Sequence, residues 1–302
     1  MSFKMNIKVS TRLKRKALLL FGLMLSVGIY TLITIRTNLS LNYKVTQTDY
    51  VLITDKNIPD LKIAMFSDSH IGTISDTRSF TKRLLAVQSQ NPDLVVIVGD
   101  YIDELTTKKQ MINSIRALGK MKTKYGIYYV FGNHDISDYS LKYRNFSQKD
   151  LFDELQKNNI NLLQDDSVLI DNAFYLIGRR DFSVVTEQGK TRASIKDLIK
   201  HLDKNKYIIV LDHQPTDFTN QTDAGVNLVL CGHTHGGQYP FNKVKNLEEK
   251  YNLVYGHKKL KNTDFIVTYG FADWSTIFNT ENKSEFIFIT IKKNNNFNLQ
   301  KF

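Results

Sequence analysis

Residues of the types that bind metal ions are gathered into short clusters of this chain. Each cluster directly follows a short apolar run, and five of the seven histidines lie in such clusters. The candidate side chains are Asp68, His70, Asp100, Asp103, Asn133, His134, Asp135, His213, His233 and His235. Carboxylate, imidazole and amide donors suit divalent manganese, iron, cobalt or zinc. The set therefore predicts a hydrolytic site built on two metal ions.

The spacing within the clusters supports shared coordination. Asp68 and His70 are two residues apart, and so are His233 and His235. In an extended segment this spacing places both side chains of a pair on the same side of the chain. The consecutive residues 133–135 offer an amide oxygen, a titratable imidazole and a carboxylate. These are the groups that a metal ligand, a general acid and its orienting partner require.

Any single cluster also has a purely structural explanation. A lone buried histidine is more often a core residue than a ligand, and Asp103 or Asp135 could serve as a turn or capping residue. Asp212, beside His213, is interpreted as a neighbouring loop acid. For Arg179, which ends a strand-like run with Arg180, a phosphate contact and a surface ion pair both remain open. The repetition of clusters at the ends of apolar runs favours chemistry over these readings.

Strands and helices alternate from Leu61 onward and would bring the clusters together. The pattern predicts strands at Leu61–Ser67, Leu94–Val98, Ile127–Phe131, Tyr207–Leu211 and Leu228–Leu230, with others at Tyr50–Ile53, Val168–Ile177 and Phe286–Ile291. Helical spacing of apolar residues predicts helices at Asp76–Gln90, Lys108–Met121, Gln148–Asn158 and Ser194–Leu202. Ligands of open α/β sheets gather at the carboxyl ends of strands. We therefore expect an α/β domain over residues 50–293 with its site on one rim.

The amino-terminal part of the chain has the pattern of a membrane anchor. Ala17–Ile35 is an uncharged run of 19 residues, close to the length that spans a bilayer. Residues 1–16 carry six basic residues and no acid, which predicts a cytoplasmic amino terminus and an extracytoplasmic catalytic domain. A cleaved signal peptide is the alternative, although the run is long and lacks an Ala-x-Ala site. We expect a connector at residues 36–49 and a tail at residues 294–302.

Composition argues against a disulfide-stabilised protein and against a nucleic-acid-binding protein. The single cysteine, Cys231, rules out an internal disulfide framework and is expected to be a buried apolar residue. The net charge of +11 owes much to the basic residues before position 17, and no arginine-rich stripe interleaves with aromatic residues. A basic composition alone is weak evidence for nucleic-acid binding. We therefore expect no nucleic acid as a physiological partner.

The clusters as a set resemble the motifs of the calcineurin-like metallophosphoesterase superfamily. The motifs are Asp68-x-His70, Gly99-Asp100-x-x-Asp103, Gly132-Asn133-His134-Asp135, His213 and Gly232-His233-x-His235. The ending Gly-His-Thr-His-Gly-Gly-Gln and the preceding apolar run are similar to its membrane-anchored bacterial branch, transmembrane proteins with a metallophosphoesterase domain. The resemblance implies a layered β-sandwich flanked by helices and preceded by one transmembrane helix.

The resemblance also implies roles for individual residues. Asp68, His70 and His235 would bind the first metal, Asp100 would bridge both metals, and Asn133, His213 and His233 would bind the second. His134 would protonate the leaving group or stabilise the transition state. Asp135 and Asp103 would orient this histidine and the ligands. Asn279 stands where the family often has an arginine, so one expected phosphate contact would be missing.

The predicted activity is hydrolysis of a phosphodiester or pyrophosphate bond by metal-activated water, with manganese as the favoured ion. The membrane bilayer is an expected partner. Some members of the branch that this chain resembles act as phosphodiesterases, and some cleave the pyrophosphate of a UDP-diacylglucosamine lipid, so the resemblance implies a lipid-linked or envelope substrate. A phosphodiesterase of soluble nucleotides or nucleic acid is the first alternative. A non-catalytic binding module on the same fold is the second. The sequence does not predict an oligomeric state.

Overall fold

The computed structural model describes residues 11–41, 45–72, 77–237, 247, 249–272 and 284–294. These residues form nine α-helices and two six-stranded β-sheets. The helices are α1 Thr11–Leu41, α2 Thr77–Gln88, α3 Lys108–Leu118, α4 Asn133–Ile136, α5 Asp138–Tyr143, α6 Gln148–Lys157, α7 Phe182–Glu187, α8 Ile195–Ile199 and α9 Phe218–Ala224. The strands are β1 Thr46–Thr54, β2 Leu61–Phe66, β3 Leu94–Val98, β4 Ile127–Val130, β5 Ile160–Leu162, β6 Asp166–Ile170, β7 Phe174–Gly178, β8 Tyr207–Leu211, β9 Leu228–Cys231, β10 Gly256–Leu260, β11 Thr263–Val267 and β12 Glu285–Lys293.

Both sheets are mixed, with a parallel centre. The first has the order β1-β12-β2-β3-β4-β5, in which β2 to β5 are parallel and β12 runs antiparallel to β2. The second has the order β10-β11-β9-β8-β7-β6, in which β7, β8, β9 and β11 are parallel and the two edge strands are antiparallel. Parallel central strands end at the same edge of their sheet, so the residues after them share that edge.

Successive side chains of the buried strands alternate between two faces, one packed against the other sheet and one packed against helices. In β2, Ile63 and Met65 face the second sheet, whereas Ala64 and Phe66 pack with the helices α2, α3 and α6. In β8, Ile209 belongs to the core between the sheets, and its neighbours on either side belong to the core under α8 and α9. Because both faces of these strands are covered, the strands are apolar at every position except the partly buried Lys62 of β2. The predicted β-sandwich flanked by helices is confirmed.

The predicted helices at residues 76–90, 108–121, 148–158 and 194–202 correspond to α2, α3, α6 and α8. One predicted strand was wrong. Val168–Ile177 is two antiparallel strands, β6 and β7, joined through Asp171 and Asn172. Both turn residues have positive φ angles, 52° and 50°. Aspartate and asparagine tolerate this left-handed conformation, so a reversal of the chain fits inside an apparently continuous apolar run.

The amino-terminal helix α1 extends past the predicted span of residues 17–35 in both directions. Its side chains from Leu18 to Ile33 are exposed. Over the residues that the structure describes, we find no helix with both the length and the hydropathy that crossing a bilayer requires. The transmembrane helix therefore stays a prediction. Strand β1 begins at Thr46, within the predicted connector, because it pairs along its whole length with β12.

Candidate metal centre

The predicted site residues follow the carboxyl ends of strands β2, β3, β4, β8 and β9. Backbone hydrogen bonds join the segments that carry them: Asp68 N donates to Gly99 O at 2.9 Å, and Gly232 N donates to His213 O at 2.9 Å. Across the sheets, His233 N donates to Asp68 Oδ1 at 3.1 Å, so the two sheets contribute to one rim. The structure brings together all ten predicted side chains, and none of them lies elsewhere on the fold.

The first group of possible ligands consists of Asp68, His70 and His235. Each offers a ligand atom within 4.8 Å of the others. Nε2 of His70 lies 3.3 Å from Nε2 of His235, and Asp68 Oδ1 lies 3.4 Å from the same His235 atom. All three residues are buried. Buried donors that point at one another in this way fit a shared cation.

The second group consists of Asp100, His213 and His233, whose ligand atoms also lie within 4.8 Å of one another. Asp100 Oδ2 is 3.0 Å from Nε2 of His213, and Nδ1 of His233 is 3.3 Å from that same nitrogen. The outer ring nitrogens are occupied. His213 Nδ1 lies 2.8 Å from Val98 O, and His233 Nε2 lies 2.7 Å from the hydroxyl of Tyr251. The nitrogens facing the centre are therefore His213 Nε2 and His233 Nδ1.

Asp100 and Asn133 complete the donor set. Besides His213, Asp100 contacts the amide of His134, which donates to Oδ1 at 2.8 Å. Asn133 Oδ1 is buried and has no hydrogen-bond partner in the described part of the chain. A buried acceptor without a donor is costly, and coordination of a cation would satisfy it. The donors present on the two sides of Asp100 thus fit two divalent ions of the type that carboxylate, imidazole and amide groups bind.

The backbone at the ligands is left-handed rather than extended. Asp68 and His70 have φ angles of 53° and 40°, and Asp100 has 49°. His233 and His235 have 73° and 47°. The predicted pairs are therefore brought together by left-handed turns, and the extended geometry assumed from their spacing was wrong. Each such residue costs about 1–3 kcal/mol and persists where the surroundings enforce it, typically at functional sites.

Two glycines in the motifs are required by close packing. A Cβ on Gly132 would lie 2.2 Å from Asp100 Oδ1 and 2.6 Å from the Asp100 amide nitrogen. A Cβ on Gly232 would lie 2.0 Å from Ser67 Oγ and 2.3 Å from Asp68 Oδ2. All four distances are shorter than the 3.0 Å below which Cβ contacts essentially never occur. The glycines thus let two strand ends approach the carboxylates without displacing them.

The charges of the buried ligands depend on one another. Burial and the charge of His235 hold the pKa of His70 well below its usual value, and burial and the charge of His213 do the same for His233. Burial opposes ionisation of Asp100, but the imidazoles of His213 and His134 outweigh it and hold its pKa well below the usual range. Burial raises the pKa of Asp68 to about 7. Burial opposes protonation of His213, but the charge of Asp100 and its hydrogen bond outweigh it and hold the pKa of His213 well above its usual value. Metal ligands must be deprotonated, so a cation bound by His213 would displace a proton from it.

His134 lies beside the two groups, and its imidazole contacts Glu104. Nδ1 is 3.1 Å from Glu104 Oε2. Burial lowers the pKa of His134, but the charges of Asp100 and Glu104 outweigh it, so the pKa is raised. A histidine that retains its proton beside a metal centre has the character of a general acid. The position of its ring is consistent with the role that the resemblance implies.

The expected orienting carboxylates act differently from one another. Asp103 Oδ2 lies 3.8 Å from Nδ1 of His70, a first-group ligand. The carboxylate of Asp135 instead accepts hydrogen bonds from three backbone amides: those of Tyr101 at 3.0 Å, Ile102 at 3.1 Å and Gly132 at 2.8 Å. Its carboxylate ties the loop after β3 to the loop after β4. The expectation that Asp135 orients the His134 ring is therefore corrected, because the ion pair of that ring is with Glu104.

Sequence reasoning missed two residues that contact the site. Glu104 follows a predicted residue directly, and an acidic residue next to the Gly-Asp-x-x-Asp motif was a signal that could have found it. Tyr251 lies in a lysine-rich stretch with no motif, and nothing in the sequence marks it. Asn279, for which a missing phosphate contact was expected, lies outside the described residues.

Asp212, interpreted as a loop acid, is fully buried behind His213. Its carboxylate accepts from Arg179 Nη1 at 3.0 Å, Arg192 Nη1 at 2.7 Å and Gln221 Nε2 at 3.1 Å. Arg179 also contacts Asp217 at 2.9 Å and is only 2% exposed. The surface-pair reading of Arg179 is wrong, because its guanidinium is held in a buried ion network next to a ligand.

Comparison with known proteins agrees with the geometry. The model of the family described as calcineurin-like phosphoesterase matches residues 61–237, more than half of the chain. This range includes all ten predicted site residues.

Three similar proteins carry metallophosphoesterase names. An uncharacterized metallophosphoesterase of Campylobacter jejuni is 30% identical over 253 residues, which are 82% of this chain and 64% of that protein. One of Bacillus subtilis is 30% identical over 242 residues, 78% of this chain and 84% of that protein. A bovine transmembrane protein with metallophosphoesterase domain is 28% identical over 195 residues, 60% of this chain and 42% of that protein. This chain thus spans under two thirds of the Campylobacter and bovine proteins.

Proposed function

This chain belongs to the calcineurin-like phosphoesterase family, whose members are metal-dependent phosphoester hydrolases. We propose that it cleaves phosphodiester or pyrophosphate bonds at a dinuclear centre. The observation that carries the proposal is the position of Asp100. Its Oδ2 faces His213 of one ligand group, and its Oδ1 accepts the amide of His134. The backbone carbonyl of Asp100 also accepts a hydrogen bond from the amide of His70, a member of the first group, at 3.2 Å. Asp100 therefore lies between the two ligand groups and contacts the residue that we propose as the proton donor.

The side chains present fit two ions. Asp68, His70 and His235 would hold the first ion, His213, His233 and Asn133 would hold the second, and Asp100 would bind both. Manganese is our favoured ion at both positions. When bound, a pair of divalent ions lowers the pKa of water and neutralises charge on the phosphoryl oxygens. The remaining tasks fall to groups of the protein.

His134 is the proton donor to the leaving group in this proposal. Its raised pKa keeps Nε2 protonated, and the contact of Nδ1 with Glu104 orients the ring. The short hydrogen bond from its amide to Asp100 holds the backbone of this residue against the metal ligands. Positioning of this kind, with charges arranged before the reaction, supplies most of the acceleration in phosphoryl transfer.

We propose that the domain is anchored to the membrane and acts on its outer side. The support is the uncharged run Ala17–Ile35 with basic residues before it, together with the name of the bovine relative. The run lies within the helix α1, whose large apolar side chains from Leu18 to Ile33 are exposed. Apolar surface of this extent marks contact with a membrane or a protein.

A lipid-linked or envelope phosphoester is the substrate class that we propose. Near His134, the apolar side chains of Leu105, Tyr139 and Tyr143 are 63%, 59% and 57% exposed. Leu105 follows Glu104 directly, and the two tyrosines lie on α5, which follows α4. Large exposed apolar side chains beside a charged centre suit a substrate that joins a phosphoryl group to an apolar chain.

The test is hydrolysis of bis-p-nitrophenyl phosphate and p-nitrophenyl phosphate by the full chain in lipid nanodiscs. Each assay is run with Mn²⁺ and with chelator. We expect metal-dependent turnover of the diester that Asp100→Asn and His134→Ala each abolish. The matched controls are Asp171→Asn, in the turn between β6 and β7, and His201→Ala, at an exposed position; both should retain activity.

Other outcomes would change the proposal. If only the monoester is hydrolysed, the proposed activity would be that of a phosphomonoesterase and not that of a phosphodiesterase. Equal activity on a lipid-linked diphosphate and on a soluble nucleotide would contradict the lipid substrate. A folded protein that binds Mn²⁺ but cleaves none of these compounds would contradict the proposed reaction and favour a binding module.

A further inference from the structure

A cavity of about 590 Å³ lies on the outer side of the second sheet, between the end of β7, the helix α7 and the segment before α8. Its volume falls within the range of small-molecule sites, roughly 300–1,000 Å³. The lining is mainly apolar, with Phe182, Val185 and Ala193 among its residues. Nothing in the proposed reaction uses this space.

Positive charge surrounds the apolar lining. Arg179, Lys190 and Arg192 line the cavity, whereas Asp217 is the acidic residue among the lining residues. Asp212, behind the wall, accepts from both arginines. The charges of Asp212, Asp217 and Asp181 all act on Arg192. Lys190, which is exposed, is the cation that a bound anion would contact.

Arg179 forms part of the positively charged wall of the cavity. Its side chain is only 2% exposed, and its Nη1 lies 3.0 Å from Asp212 and 2.9 Å from Asp217. These carboxylates hold the guanidinium in the wall, so a molecule in the cavity would contact the exposed Lys190 rather than Arg179.

Phe182 indicates the shape of the ligand's apolar part. Its side chain is 50% exposed although it lines the cavity. The guanidinium of Arg192 lies over the ring, 5.7 Å from the centroid. A half-exposed aromatic ring next to a cation is suited to a flat apolar group that carries negative charge.

The cavity adjoins the metal centre without being part of it. The helix α7 lines the cavity and also packs against α4, the helix that begins with Asn133 and His134. The buried Asp212, which holds both arginines of the cavity, precedes the ligand His213. A molecule in the cavity would therefore lie behind two of the elements that carry the site.

We propose that this cavity is a binding site for an organic anion with a flat apolar body, held by Lys190 and by the ring of Phe182 beside the guanidinium of Arg192. A carboxylate and a phosphate monoester share the required chemistry. The site is separate from the dinuclear centre, and the inference does not depend on the reaction proposed above.

The experiment is equilibrium dialysis of 2-naphthoate, 2-naphthyl phosphate and the neutral 2-naphthalenemethanol. The full chain is used in lipid nanodiscs with Mn²⁺ bound, and empty nanodiscs give the blank. We expect one equivalent of either anion to bind at micromolar to millimolar concentration, with the neutral compound at least tenfold weaker. Naphthyl phosphate bound at the dinuclear centre is recognised because chelator removes it, whereas binding in the cavity persists.

Two pairs of variants locate the bound anion. Thr186→Trp fills the cavity from an exposed position on its wall, and Gln188→Trp places the same side chain two residues further on, outside the lining. Thr186→Trp should abolish binding of naphthoate, and Gln188→Trp should leave it unchanged. Lys190→Gln should weaken binding about two- to fivefold, as loss of an exposed ion pair does. Its control, Lys200→Gln, lies outside the cavity and should have no effect.

Three results would overturn the proposal. The first is equal binding of naphthoate to the Thr186→Trp and Gln188→Trp variants. The second is equal binding of the neutral compound and the anions. The third is unchanged naphthoate affinity in Lys190→Gln, which decides the matter if the tryptophan variant does not fold.

Discussion

The carboxylate of Glu104 lies 3.1 Å from Nδ1 of His134, and both side chains are only partly exposed, 25% and 19%. The pair joins the loop after β3 to the first turn after β4. Because the contact is made at Nδ1, the proton that we propose for transfer to the leaving group is the one on the other ring nitrogen, Nε2. Glu104 is thus a positioning residue for the proposed proton donor.

Glu104→Gln should reduce kcat with little change in KM. A general acid contributes about 10²–10⁴-fold to a rate, and loss of its charged partner should remove about tenfold. The raised pKa of His134 depends in part on Glu104. Without that charge the pKa falls, so His134 loses its proton at lower pH and the alkaline limb of the kcat/KM profile moves to lower pH.

Steady-state kinetics from pH 5 to 10 measure both effects of this substitution. The control is Glu187→Gln, at an exposed position on α7. Unchanged kcat together with an unchanged alkaline limb would show that Glu104 does not position His134.

Tyr251→Phe should weaken metal binding while preserving the packing of the ring. The hydroxyl lies 2.7 Å from Nε2 of His233, so it orients that ligand. Loss of an outer partner of a ligand typically lowers metal affinity by about 10–100-fold. Competition with a chelating dye measures the affinity for Mn²⁺. Tyr125→Phe, whose hydroxyl contacts Asp171 and Lys124 outside the metal centre, is the control. Equal affinities in the two variants would argue against the role of Tyr251.

Removal of the metal ions should leave the protein folded but less stable. The ligands are buried groups whose charges are unbalanced without cations, whereas the three apolar cores do not depend on them. A ligand at 100 times its Kd adds about 2.7 kcal/mol to the free energy of unfolding. We expect Mn²⁺ to raise Tm by roughly 5–10 °C, since 1 kcal/mol corresponds to about 2–4 °C in a domain of this size.

Scanning calorimetry with Mn²⁺ and with chelator measures this shift in Tm. Asp100→Asn is the informative variant, because it removes the carboxylate shared by both ions. Its Tm should respond to Mn²⁺ much less than that of the unaltered chain. A response equal to that of the unaltered chain would mean that Mn²⁺ stabilises the protein at another site.

Gly132→Ala should impair both the centre and the fold. The new Cβ would meet the side chain and the amide nitrogen of Asp100 at 2.2 and 2.6 Å, and the backbone atom cannot rotate away. Overpacking of this kind costs about 1–3 kcal/mol. Gly189→Ala is the matched control, because its φ of 63° is strained for alanine but its Cβ would meet nothing within 4 Å.

Urea denaturation and metal titration separate the two glycine variants. Gly189→Ala should lose about 1 kcal/mol and keep full metal affinity. Gly132→Ala should lose metal affinity as well. If both variants bind Mn²⁺ equally, the close approach of Gly132 to Asp100 is not needed for the centre.

Asp212→Asn should destabilise the protein strongly. The substitution leaves two buried guanidinium groups, of Arg179 and Arg192, with less compensating charge. Breaking a buried ion pair by removing one partner costs about 3–5 kcal/mol. Asp223→Asn removes an exposed partner of Lys261, an ion pair at 2.7 Å, and should cost at most about 1 kcal/mol. Equal urea midpoints for the two variants would contradict the structural role of Asp212.

Much of the site could be predicted because its donors are local in sequence. Asp68 and His70, or His233 and His235, are each separated by one residue, and the apolar run before each pair predicts a strand that ends there. Helices α2, α3 and α6 were predicted from their apolar spacing for the same reason: their pattern repeats within one element.

The predictions failed at one local turn and at one pairing between distant segments. Val168–Ile177 is continuous in hydrophobicity, but the left-handed Asp171 and Asn172 reverse the chain within it. The start of β1 at Thr46 follows from pairing with β12, more than 200 residues later.

By itself, the sequence determined which residue types end the strands, and thereby the family, the metal-binding donors and the layered fold. Hydrophobic alternation and donor chemistry are properties of short segments, so they can be read without coordinates. Only the tertiary structure decided that Glu104 pairs with His134, that Tyr251 orients His233, and that Arg179 and Asp212 are buried together behind the centre. These contacts join residues that 18 or more positions separate, and folding alone brings them within hydrogen-bond distance.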